Sequence, residues 1–181
     1  MLADERLPAK ERPQVGLALS PRIAPLLTIV AAALAVAGFF LPWMNGAGPF
    51  DLRSFSGFDF ARLVRNFEIT ADSASSSAQV RGTAVALYLV PALALNAAVL
   101  HAAAPLLGLQ RRLVGWALLV SGAYALAILG LLLLLSLAPL NDFQSSVGLP
   151  SWGFALSAAS GALLVWLGRR ELSQQKELDR A

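Results

Sequence analysis

An all-α integral membrane protein, a four-transmembrane-helix bundle with a short amphipathic helix in its first outer loop, is the fold class this sequence predicts. Three observations carry it. Apolar residues fill 57% of the 181 positions, against about 45–50% in soluble domains. Charged residues, at 14%, stay out of four long apolar runs. Mean hydropathy is +0.65.

Residues 1–22 scatter Arg6, Lys10, Arg12 and Arg22 among Pro8, Pro13 and Pro21, the pattern of a flexible tail. Residues 23–44 form the first expected span, long enough for a ~30 Å hydrocarbon core at 1.5 Å per residue. Ala35-Val36-Ala37 has the form of a signal-peptidase site. The leading tail is long and partly acidic, and the apolar run continues through Pro42, so an uncleaved span is expected. Trp43 is expected at headgroup depth.

Residues 45–82 form the one long polar loop, with four of the fourteen Lys/Arg and four of the eleven Asp/Glu. Inside it, Phe60, Leu63, Val64 and Phe67 follow i, i+3, i+4, i+7 spacing, which predicts an amphipathic helix over 57–69. Ser56 and Asp59 stand three apart, so hydroxyl and carboxylate can each satisfy an orphan N–H at the helix start. Residues 70–79 read as a small-polar spacer. The second span is expected over 83–107, kinked at Pro91. A basic turn follows over 108–112, then a third span over 113–137, an outer loop over 138–148 and a fourth span over 149–167. A polar tail of 168–181 can continue as helix to about residue 178.

Basic residues set the orientation. Ten lie in the two tails and the 108–112 turn, and four in the 45–82 loop, so both termini are expected in the cytoplasm, and the membrane is read as a bacterial cytoplasmic (inner) one. Trp43 and Trp152 then fall at the outer interface, Trp116 and Trp166 at the inner one.

Composition also excludes chemistry. With no cysteine and one histidine, thiol nucleophiles, iron–sulfur clusters and multi-histidine metal sites have no residues to use. A formal charge of +3 and a pI near 10.0 are explained by residues flanking spans, which favour anionic headgroups; the absence of a longer basic run argues against nucleic acid. No Asp, Glu, Lys or Arg lies inside an expected span, which argues against ion-coupled transport. The loop carboxylates and arginines have no nucleophile or histidine beside them and read as surface pairs, so no enzymatic activity is expected.

The remaining candidates are binding residues. Gly153, Ser157 and Gly161 make a small-residue stripe at four-residue spacing, suited to close helix packing within the chain or against another subunit. Phe58, Phe60, Leu63, Val64 and Phe67 need burial against the bundle, the lipid interface or a partner. Asn96, near the centre of the second span, is expected to bond across to a neighbouring helix. His101 lies on a face with Ala94, Ala97 and Ala98, which reads either as a helix–helix hydrogen bond or as room for a tetrapyrrole ring plane with the imidazole as axial ligand.

Two resemblances bear on these residues. Ala97-x-x-x-His101 resembles the motif around the pigment-binding histidine of bacterial light-harvesting polypeptides, which implies a tetrapyrrole. Leu41-Pro-Trp43 followed by Ser56-Gly-Phe-Asp59, with a glycine-rich last span, resembles a type common among small four-span bacterial membrane proteins. That second resemblance implies a topology and no activity. The functional expectation is a non-catalytic accessory or scaffold subunit of a larger membrane complex, in contact with membrane lipids and with other integral membrane proteins. The alternatives are a pigment- or cofactor-carrying subunit using His101, or a pore or small-solute exporter component.

Overall fold

The computed structural model describes residues 23–44, 55–70, 74–137 and 150–180. The described chain is helical apart from one short strand pair, and three of its helices are long and apolar enough to cross a membrane: Ile23–Phe40, Gly82–Leu107 and Arg111–Leu134.

Helix α1 (Ile23–Phe40) buries Ala24, Thr28, Ala31, Ala32, Ala35, Gly38 and Phe39. These positions recur three and four apart, so one narrow stripe of small side chains faces inward. The expected span ran on to Met44, but the helix stops at Phe40. Pro42 disfavours helical geometry at Leu41, whose N–H bonds back to Ala37 O at 3.0 Å. Pro42–Met44 instead forms β1, antiparallel to β2 (Phe55–Ser56), with Pro42 opposite Ser56 and Met44 opposite Phe55. The free carbonyl of Trp43 accepts Ser151 N–H at 2.8 Å. One end of the molecule is thereby tied together by backbone from three separate segments.

Helix α2 (Gly57–Thr70) starts where its cap lies. Asp59 N–H donates to Ser56 Oγ at 3.0 Å, and Ser56 N–H donates to Asp59 Oδ2 at 3.1 Å. The helix rests against α3 and touches α1. Gly57 permits this approach: a Cβ there would stand 2.5 Å from the Trp43 ring.

Helix α3 (Ala74–Leu107) begins earlier than the sequence suggested. The Ala74–Gln79 tract, read as a spacer, forms its first turns, because alanine, serine and glutamine between two helical segments contain no breaker. Pro91 and Pro105 lie within the helix. Gly108 closes it in the left-handed conformation at φ 61°, while Leu109 N–H bonds Ala104 O at 3.1 Å, a glycine helix stop.

Helices α4 (Arg111–Leu137) and α5 (Trp152–Leu178) pack closely along each other. A Cβ on Gly122 would meet Gly161 O at 2.5 Å, so backbone touches backbone there. Helix α5 also lies along α1, and α3 packs against both α1 and α4. The apolar part of α5 is ended by Arg169, yet the helix continues unbroken to Leu178. The inner core is unusually small in side chain: Ala31, Ala32, Ala35, Ala94, Ala97 and Ala98 mesh with Val114, Leu118, Leu164 and Leu167. With little hydrophobic drive between helices in lipid, such close contact is the main source of cohesion.

Candidate functional site

A buried polar cluster crosses three helices in this apolar interior. Thr28 on α1 sits 2.7 Å from His101 Nδ1 on α3. The Thr28 hydroxyl also lies 3.0 Å from Ala24 O, and the imidazole tautomer decides which of Nδ1 and Oγ1 donates. Glu171 on α5 is near enough to His101 to act on its charge. His101 and Glu171 are 7% and 8% exposed. The Thr28–His101 contact joins α1 to α3, and Ser160 Oγ–H, donating to Ala31 O at 2.7 Å, joins α5 to α1.

Of the two readings of His101, the geometry favours the helix–helix hydrogen bond. The alanine face that a ring plane requires is taken up inside the chain, since Ala94, Ala97 and Ala98 form one cluster with Ala31, Ala32 and Ala35 of α1. Among the described residues no group of three or more His, Asp or Glu is placed to hold a metal ion.

Thr28→Val keeps the shape of the side chain and removes its oxygen. It is expected to lower stability by about 1–3 kcal/mol, because a buried imidazole nitrogen loses its hydrogen-bond partner. Thermal unfolding in detergent checks this, with Thr28→Ser expected to retain most of the difference.

The second structured region lies at the Trp43 end. Trp43, expected in a headgroup belt, is turned inward, donating Nε1–H to Gly38 O at 2.7 Å. Its ring meets Phe39 edge-on at 6.1 Å and Phe154 at 6.5 Å. Phe58 lies against Phe39, Phe40 and Tyr88, and Phe60 packs against the same cluster. Phe58 and Phe60, two of the five apolar residues expected to need burial on this helix, are thus seated on the chain's own helices. The side chains of Leu63, Val64 and Phe67 lie outside the described residues. Asp59, Arg62 and Arg65 of the same helix are exposed.

The small-residue stripe also faces inward. Gly153 abuts the Leu41–Pro42 backbone, Ser157 lies against Gly38, and Gly161 meets Gly122 and Leu126. Those three positions are occupied by α1, β1 and α4 of the same chain. Asn96 behaves in the opposite way. Expected to bond to a neighbouring helix, it is exposed on α3, because the packed face of that helix runs through Val90, Ala94, Ala97 and His101.

Sequence reasoning missed Glu171, which it placed in a polar tail. Helical phase carried the signal. Continuing Gly153, Ser157 and Gly161 by steps of three and four gives Leu164, Gly168 and Glu171, all buried. The chain matches no protein-family model, no curated protein and no solved structure.

Proposed function

We propose that the chain is a non-catalytic accessory or scaffold subunit of a larger protein complex in a bacterial cytoplasmic membrane. The observation that carries this reading is the treatment of α2. Its cap is closed, Ala61 and Gly57 are buried, and Phe58 is held among aromatic rings. Arg62 and Arg65 are exposed to the surroundings. A surface helix fastened this firmly and left charged on top suits a rigid docking platform, since pre-ordered contact groups lose little entropy on binding. In this reading α5 is the fourth span, which its packing along α1 and α4 supports. The excess of basic residues in the tails and the 108–112 turn puts both termini in the cytoplasm, so α2 faces the periplasmic side.

Extraction from native membranes in a mild detergent tests the proposal. The chain is expected to migrate far above its 19.1 kDa mass plus micelle, with defined companions. Arg62→Glu combined with Arg65→Glu is expected to reduce those companions at least about tenfold, as charge reversal at an interface does, without changing the unfolding temperature. Migration of the unaltered chain as a monomer, or as copies of itself alone, would sink the reading.

A further inference from the structure

The outward face of α3 has a pattern that packing within the chain does not use. Leu89, Ala92, Asn96, Val99, Ala103 and Leu106 follow one another in alternating steps of three and four, the a/d spacing of a heptad seam. All are exposed except half-buried Ala103, with Val99 at 63% and Leu106 at 88%. The other sides of α3 are committed. Ala94, Ala97 and His101 face the core shared with α1. On the flank toward α4, Ala86 O and Leu93 O accept from Tyr124 and Ser121.

Asn96 lies near the middle of the Gly82–Leu107 span and at the middle of this seam. Its carboxamide has no hydrogen-bond partner among the described residues. An amide facing hydrocarbon without a partner is costly, and water is not available at that depth. We propose that this face binds a second copy of the same chain, forming a parallel two-fold dimer through α3 with Asn96 hydrogen-bonded to Asn96 of the other copy. Self-pairing follows from the chemistry. A carboxamide carries donor and acceptor together, and a two-fold axis along the membrane normal brings each seam position opposite itself. Copies inserted in one orientation can only pair in parallel. A single polar residue within an apolar seam fixes register in such pairs, which an all-aliphatic seam does not.

The chain contains no cysteine, so single cysteines report contacts without background. Purified protein reconstituted alone in phosphatidylcholine vesicles, inserted in one orientation, is oxidised and its mass read by denaturing gel. Leu89→Cys, Ala92→Cys, Val99→Cys and Leu106→Cys are expected to give a band at about twice 19.1 kDa. Val120→Cys, exposed on α4, is expected to stay monomeric. In the Val99→Cys background, Asn96→Leu is expected to lower the cross-linked fraction roughly tenfold, the scale of one interhelical amide pair, and Asn96→Gln to retain most of it. Unfolding temperature of the monomer confirms that each variant folds. A monomer at every protein-to-lipid ratio, equal cross-linking at Val120, or a dimer indifferent to Asn96→Leu would each overturn the proposal. The first of these outcomes would leave the seam to a different helix.

Discussion

Trp43→Ala is expected to destabilise the folded chain by about 3–5 kcal/mol, the range for emptying a buried tryptophan site. The side chain is 3% exposed and contributes to several contacts at once. It closes a hydrogen bond to Gly38 O at 2.7 Å, stacks edge-on with Phe39 and Phe154, and forms the floor on which Gly57 rests. Its own backbone carbonyl holds the start of α5. Removing the ring therefore loosens α2 as well as the junction of α1 and α5. Unfolding followed by circular dichroism in detergent gives the magnitude. Amide exchange in α2 should rise in the variant, and unchanged exchange there would show that the ring does not hold the helix. Trp43→Phe, which keeps the ring contacts and loses the N–H, is expected to cost roughly 1–2 kcal/mol.

Gly153→Val is the second large effect, expected at about 3 kcal/mol or more. Overpacking a close interface costs about 1–3 kcal/mol when side chains can shift. Here the new Cβ would meet the backbone of Leu41 and Pro42, including Pro42 O at 2.7 Å, and backbone in a paired strand cannot yield. The contrast is Gly130→Val, where an added Cβ has nothing within 4 Å. That change is expected to stay within about 0.5 kcal/mol, as substitutions away from packed features do. Equal unfolding temperatures for the two variants would remove the case for a close contact between α5 and the Leu41–Pro42 backbone.

These two sites show which parts of the architecture could be read in advance. The Ser56–Asp59 cap and the start of α2 were legible because the signal is local: two residues three apart, followed by helical periodicity. Three of the four long apolar runs were legible as candidate spans because composition and length alone decide them. The β1–β2 pair was not, since pairing depends on how the chain returns after Met44. The inward turn of Trp43 was hidden for the same reason, because Phe154 and Gly57 approach it from distant parts of the chain. Among the candidate site residues, His101 stood out as the only histidine, but its partners lie 73 positions upstream at Thr28 and beyond the last apolar run at Glu171. Phase along α5 pointed to Glu171, and hydropathy pointed the other way. Asn96 was recognised as polar within a span, while its side of the helix could be known only after His101 fixed the inward face.

Helix α5 has one further consequence. It runs from Trp152 to Leu178 without a break, a rod of about 40 Å at 1.5 Å per residue. One end is pinned, through Ser151, to the strand that follows α1. The other end stays packed past Arg169: Gly168 lies against the Leu119 backbone, Leu172 against Gly115, and Glu171 is buried. A rod fixed at both ends works as a spacer. The Trp43 junction and the level of Glu171 are held apart by the length of one unbroken element, so the distance between them does not depend on how the other helices pack.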